Sequence, residues 1–302
     1  MRLTGVLNRD GGTLKSIDVD AFAEHTAEVF RAHGHEIDVR VVRGADLIAE
    51  LKRAAHSGDA LLAGGGDGTV SAAAAVAFEQ RIPLAVLPAG TMNLFARSLG
   101  IPLGLDTALE ALADGVIDTV DIATANGQPF VHQFSVGIHP KLVRLRETRR
   151  YRGKFGKMAA SVRASLGVLF NPPNFLAEID TPQGRETWRV AGLSVSNNPL
   201  DEGHLPLADH LDRGVLGLYL IKPLSFWTAL RLALGLLLGK FRSLPEIVDR
   251  ESKQVTLRFP RKKVGALAVS DGELLTLADR VDVKIHPGAL KVLLPRGPAS
   301  VP

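Results

Sequence analysis

A chain of 302 residues with 46% hydrophobic and 23% charged residues is a folded globular protein, long enough for two cores. It contains no cysteine, which excludes disulfides and thiolate metal centres. The formal net charge of +4 is mildly basic, and no long apolar stretch follows Arg2, so no secretory signal is expected and a cytoplasmic location is.

Residues 3–8 read as a strand, 19–33 as an amphipathic helix, 36–42 as a strand and 45–55 as a helix. A short buried strand at 59–63, an alanine-rich helix at 70–78 and a strand at 82–87 follow. This alternation is the signature of βαβ units and a parallel sheet covered on both faces. Ligands of such sheets bind at the carboxyl ends of the strands, and three of those ends carry polar or glycine-rich loops: 8–13, 64–69 and 89–93.

Between the strand at 59–63 and the next helix lies Gly64-Gly65-Gly66-Asp67-Gly68-Thr69. Glycines at a strand-to-helix turn let an anion approach the backbone N–H groups, and the helix start favours negative charge. No Gly-Lys-Ser/Thr follows, so this is not a Walker A loop, and the spacing does not give GxGxxG. Asp67 beside a phosphate would repel it by roughly 4 kcal/mol at 4 Å and an effective dielectric near 20. A bridging cation, or a role for Asp67 with a substrate proton, resolves that conflict.

From about residue 121 the pattern changes to short alternating runs at 120–124, 130–136, 175–180, 187–196, 215–221, 255–259, 266–270 and 281–286. Turn residues separate them, which argues for an antiparallel sandwich interrupted by helices at 156–169 and 226–238. The expected fold class is α/β plus all-β: an α/β domain at 1–122 and a β-sandwich at 123–287. The segment 288–302, with a strand at 290–294, could return to the first domain. The apolar stretch 224–239 is too short to span a bilayer and contains Arg231, so it reads as a buried helix ahead of a partly membrane-facing one.

Between residues 141 and 163 lie Lys141, Arg144, Arg146, Arg149, Arg150, Arg152, Lys154, Lys157 and Arg163, with Glu147 the only acid. Interleaved with Tyr151, Phe155 and Met158, these charges suit either an anionic membrane surface or a solvated helix face. No nucleic-acid-binding motif accompanies them, and no nucleic acid partner is expected. Ser270-Asp271-Gly272-Glu273 lies between two apolar runs and reads first as a hairpin turn. Proximity to the glycine loop would make its carboxylates candidates for accepting a proton from an attacking hydroxyl.

Taken together, GGGDGTV at 64–70, LPAGTMNLFARSLGIP at 87–102 and VSDGELL at 269–275 resemble the catalytic domain of diacylglycerol kinases and related bacterial lipid and sphingosine kinases. The resemblance implies an N-terminal α/β domain of phosphofructokinase and NAD kinase type, a C-terminal antiparallel β-sandwich, and an active site in the cleft between them. It implies ATP and Mg²⁺, with transfer of the γ-phosphate to a lipid hydroxyl, most simply that of a diacylglycerol-like acceptor. Carried over residue by residue, the nucleotide-binding positions are Asn8, Gly65, Gly66, Asp67, Gly68, Thr69, Val70, Ser71, Gly90, Thr91 and Asn93. Glu273 takes the place of the proton acceptor, Asp271 that of its metal or base partner, and Asp67 that of the motif's acid. Asp212 is the candidate oxygen for a further metal. The enzyme would work at the membrane periphery through the 141–163 segment, and a homodimer stays open. Leu94, His139 and Arg213 stand where the family carries other residues, acids among them. That keeps two alternatives: a soluble kinase akin to NAD kinase, and a non-catalytic nucleotide or lipid sensor.

Overall fold

A computed structural model describes residues 1–147, 172–203, 207–240 and 242–296. The helix expected at 156–169 and most of the basic segment lie outside them.

The first lobe follows the βαβ reading. β1 (Arg2–Asn8), α1 (Val19–Ala32), β2 (Glu36–Val42), α2 (Leu47–Ala55), β3 (Ala60–Gly65), α3 (Asp67–Gln80) and β4 (Leu84–Pro88) alternate, and the four strands lie parallel in the order β2-β1-β3-β4. β3 is buried along its whole length, as a central parallel strand covered on both faces must be. α1 starts where the Asp18 side chain accepts the Ala21 N–H at 3.1 Å. It buries Val19, Phe22, Ala23, Val29 and Phe30, a stripe at helical spacing. α4 (Leu94–Ser98) and α5 (Leu105–Ala113) close this lobe.

β5 (Val116–Ala125) leads into the second lobe, and residue 122 is interior to it. β16 (Arg280–Leu294) runs antiparallel to β5 through a register shift between His286 and Leu290, and touches β4 in parallel at Val292 and Leu84. The runs expected separately at 281–286 and 290–294 are therefore one strand. Its first half sends Val281, Val283 and Ile285 into one core, and its second half sends Leu290, Val292 and Leu293 into the other.

β6 (Gln128–Phe130), β8 (Phe175–Thr181), β9 (Gly184–Val190) and β13 (Gln254–Arg258) extend this sheet, which reaches ten strands. A second, six-stranded antiparallel sheet has the order β12-β11-β10-β7-β14-β15. Its members are β7 (Gln133–Gly137), β10 (Gly192–Asn197), β11 (Leu216–Ile221), β12 (Ile247–Ser252), β14 (Leu267–Ser270) and β15 (Glu273–Thr276). Phe134, Val136, Leu193, Val195 and Leu218 from this sheet pack with Ala177, Ile179, Val255 and Leu257 from the other, which makes the sandwich.

Two runs expected as single strands are divided. The run 187–196 breaks at the buried Ala191, where the chain passes from β9 in one sheet to β10 in the other. The run 130–136 breaks because the N–H groups of Val131, His132 and Gln133 all donate to the Asp271 carboxylate. The helix α7 (Phe226–Leu237) forms where expected, and it is buried on one side only, which overturns the favoured reading of full burial but not the alternative of a partly exposed helix. Ala229, Leu232 and Gly235 are buried, whereas Trp227, Leu234 and Leu237 are exposed. α6 (Ile138–Glu147) follows β7 directly.

Candidate active site

The three strand-end loops of the first lobe stack on one another. Asn8, at the end of β1, donates from Nδ2 to the Thr69 hydroxyl at 3.0 Å and accepts the Asp10 N–H on Oδ1 at 3.1 Å. Thr13 N–H reaches the Ala89 carbonyl at 2.7 Å. Only glycine fits at position 12: its φ is +44°, and a Cβ would stand 1.8 Å from the Ala89 carbonyl oxygen. At Gly90 a Cβ would lie 2.8 Å from both Asn93 Oδ1 and the Gly66 Cα. α3 begins at Gly66 without a side-chain cap, so its first-turn N–H groups face the space above the glycine turn.

Asp67 opens α3 and also holds the next loop. Its Oδ2 accepts the Asn93 N–H at 3.1 Å and its Oδ1 the Leu94 N–H at 2.7 Å. Asn93 is thereby fixed in a left-handed conformation at φ +50°, with its amide side chain bonded to both polar groups of Gly90. The position after Asn93 is Leu94, whose backbone N–H supplies the bond to Asp67. Thr91 is exposed at the rim of this loop. Val70, expected among the nucleotide contacts, turns its side chain into the core and spends its N–H on the Gly66 carbonyl. Ser71 points to the other lobe, donating to Asp271 Oδ2 at 2.6 Å.

The second lobe contributes the β14–β15 hairpin. Asp271 and Gly272 have φ of +46° and +89°, two positive values in a two-residue loop closed by the Ser270–Glu273 pair, as a type I′ turn requires. The hairpin reading and the site reading of DGE both apply. Asp271 accepts four hydrogen bonds: Ser71 Oγ and Val131 N–H on Oδ2, His132 and Gln133 N–H on Oδ1. Those donors occupy the acceptor positions of its two oxygens. Glu273 is exposed, and its Oε1 lies 3.6 Å from where a Cβ on Gly68 would stand. The carboxylate of one lobe thus faces the glycine turn of the other.

Three further polar residues were not picked out from the sequence. Burial holds the His132 imidazole below the ordinary value against the opposing pull of Asp271 and Asp67, and among the described residues its Nε2 finds no hydrogen-bond partner. Asp121, buried, accepts the Gly214 N–H at 2.6 Å and the Gly288 N–H at 2.9 Å, tying β5 to the loop before β11 and to the register shift of β16. Ser135 Oγ lies 2.7 Å from His139 Nδ1. None sits in a recognisable motif; each is defined by a partner far away in sequence or by burial.

Asp212 stands exposed beside Arg213, whose guanidinium grips Glu251 at 3.0 and 3.1 Å. Among the described residues no three acidic or histidine side chains come together to hold a cation. A closed protein cage for Mg²⁺ does not fit. A cation carried by nucleotide phosphates fits better, because it needs only one or two carboxylates, and each Asp67 oxygen has acceptor capacity beyond its amide bond.

Away from the cradle, a cavity of about 540 Å³ opens at the other end of the sandwich. Phe175, Phe259 and Leu277 give it an apolar lining, with Lys141, Arg144 and Arg189 among its cations. Burial lowers the Lys141 ammonium below its ordinary value. The five-residue strand β7 connects the two places, from Gln133 at the Asp271 carboxylate to Gly137 in the cavity wall, roughly 13 Å apart.

The fold, a parallel α/β lobe sharing strands with an antiparallel sandwich, is one that this chain has in common with solved diacylglycerol kinase structures. A diacylglycerol kinase of Bacillus anthracis superposes with a TM-score of 0.70 over 99% of this chain and 98% of that one, at 17% identity. The family model of the diacylglycerol kinase catalytic domain matches residues 2–125. A Pseudomonas aeruginosa relative named "Probable lipid kinase YegS-like" is 30% identical over 285 residues, covering 88% of this chain and 87% of that protein. An uncharacterized protein of Synechocystis sp. is 25% identical over 268 residues, 83% of this chain but 59% of its own longer length. The chain belongs to the diacylglycerol kinase catalytic-domain family of lipid kinases.

Proposed function

We propose that the protein transfers the γ-phosphoryl group of ATP to the hydroxyl of a membrane lipid with a diacylglycerol-like body. The observation that carries this reading is the approach of Glu273 to the Gly68 position, which sets a proton-accepting carboxylate of one lobe against the anion cradle of the other. ATP would lie across the loops at 8–13, 64–69 and 89–93, its phosphates against the first-turn N–H groups of α3. The acceptor oxygen forms a bond to Pγ as the bond from Pγ to the bridging oxygen of ADP breaks, and the hydroxyl proton passes to Glu273. Asp271, saturated with donors, is the wrong group to take that proton and is assigned to positioning the hairpin. Asp67 would hold Mg²⁺ arriving with the nucleotide; when bound, the ion would neutralise charge on the phosphates.

The apolar cavity suits the acyl region of the acceptor, with its hydroxyl reaching along β7 to Glu273. Such an enzyme works at the cytoplasmic membrane periphery, where the basic 141–163 segment would favour anionic lipid. The test is incubation with labelled ATP, Mg²⁺ and a panel of diacylglycerol, sphingoid base, phosphatidylglycerol and polyprenol, with NAD as the soluble control. Labelled lipid from the wild type but not from Glu273→Gln is expected. Labelled NAD alone, or nucleotide binding without any product, would replace this reading with the soluble-kinase or sensor reading.

A further inference from the structure

α7 is an excursion from one end of the six-stranded sheet. It is inserted between Ile221 and Ile247, which pair with each other, and the neck is closed by the Lys222 N–H on the Glu246 carbonyl at 2.9 Å. Ala229, Leu232 and Gly235 form its inner stripe, and Gly235 admits the Leu244 side chain so closely that a Cβ would stand 2.5 Å from Leu244 Cδ1. At about 100° per residue the opposite arc, roughly 120° wide, holds Phe226, Trp227, Leu230, Ala233, Leu234 and Leu237, all apolar. Trp227 is 73% exposed, Leu234 51% and Leu237 72%, with Leu238 just beyond the helix at 67%. An apolar arc of this extent on a water-facing helix marks a contact surface.

Its surroundings specify the contact. Between Lys222 and Lys240 the chain has no acidic residue. Arg231 is answered from outside the helix by Glu246. The pairing row that runs from Ile221 through Gly192 to Gly137 brings α7 to the end of the sheet where the cavity opens. The cavity lining contains Arg144, Arg189, Arg261, Lys262 and Lys263 and no carboxylate. Lys262 is met from outside by Asp279 at 3.2 Å. One end of the sandwich therefore combines an apolar helix face with a predominantly cationic rim. A second copy docked symmetrically would set like charges against each other, whereas an anionic lipid surface complements both features. The helix, 12 residues or about 18 Å long, is too short to cross a bilayer, and no described helix is long and apolar enough to do so.

We infer that α7 is an interfacial helix that lies in the headgroup and acyl boundary of an anionic bilayer, turning the cavity end of the sandwich towards the membrane. The inference goes beyond the kinase reading, since vesicle binding needs neither ATP nor turnover and either can fail alone. The test is co-sedimentation of the full chain with vesicles of phosphatidylcholine, alone or mixed with phosphatidylglycerol, comparing wild type with Trp227→Gln/Leu234→Gln/Leu237→Gln. Binding to the mixed vesicles is expected, with a loss of at least about tenfold in partitioning for the variant and an unchanged melting temperature. Should the variant fold poorly, brominated phosphatidylglycerol should quench Trp227 of an otherwise wild-type Trp188→Phe protein. Equal partitioning of variant and wild type, absence of that quenching, or equal binding to neutral vesicles would overturn the inference. So would a wild-type dimer that ignores vesicles and becomes monomeric in the variant, which would assign the face to a second copy.

Discussion

The Ser71 hydroxyl and the Asp271 Oδ2 lie 2.6 Å apart although 200 residues separate them, joining α3 of the first lobe to the hairpin tip of the second. Three backbone N–H groups from 131–133 complete the set around that carboxylate. Asparagine at 271 would turn an NH₂ group towards N–H donors that now find an oxygen. Asp271→Asn should therefore cost about 2–4 kcal/mol of stability, and Ser71→Ala about 1 kcal/mol. Urea unfolding midpoints check both, and Asp271→Asn should be the more damaging to activity because it loosens the turn that carries Glu273.

Glu273 presents the opposite case. It is exposed, so replacing it removes little that holds the fold together. Glu273→Gln should keep stability to within about 0.5 kcal/mol while lowering kcat by about 10²–10⁴. A normal kcat in a folded Glu273→Gln protein would remove the residue from proton transfer.

The two lobes were legible because burial imposes a period: 2 along the sandwich strands, 3.6 on α1, and an unbroken apolar run in β3. The glycine turn and the Asp271-Gly272 turn were legible because their backbone geometry admits few residue types. The breaks at 131 and 191 were not. At 131 the backbone gives up strand pairing for a carboxylate some 140 residues away, and no local pattern records such a partner. The outer face of α7 stayed open between two readings for a different reason: a helix apolar over most of its surface looks the same whether its surroundings are protein or lipid. His132 escaped as well, since what sets it apart is a buried ring nitrogen that finds no hydrogen-bond partner among the described residues.

The glycines of the cradle divide by what stands opposite them. Gly12→Ala would place a methyl group 1.8 Å from a carbonyl oxygen at φ +44° and should cost about 1–3 kcal/mol. Gly68 lies inside α3 and would meet nothing nearer than Glu273 Oε1 at 3.6 Å. Gly68→Ala should be neutral or stabilising by up to about 1 kcal/mol, alanine being the better helix former. It should still raise KM for ATP, because the methyl group occupies the gap between the cradle and the carboxylate. Thermal melts and nucleotide titrations on the two variants separate architecture from binding.

Acid should destabilise the fold through two imidazoles, one buried and one partly buried. Burial lowers His132, with Asp271 and Asp67 opposing, and burial followed by Lys284 lowers His286, whose Nε2 lies 3.0 Å from the Thr124 hydroxyl. A folded-state value below the ordinary 6.5 means that, as the pH falls below about 6.5, the unfolded chain takes up a proton the folded chain refuses. The stabilising contribution is complete above that pH and is lost as the pH falls through the folded-state values, at up to about 1.4 kcal/mol per pH unit for His132 and less for the partly solvated His286. His132→Gln should flatten the decline in unfolding free energy between about pH 6.5 and pH 5 relative to wild type, since other groups titrate alike in both proteins. Parallel curves for wild type and His132→Gln would show that the imidazole is solvated and that its Nε2 reaches water.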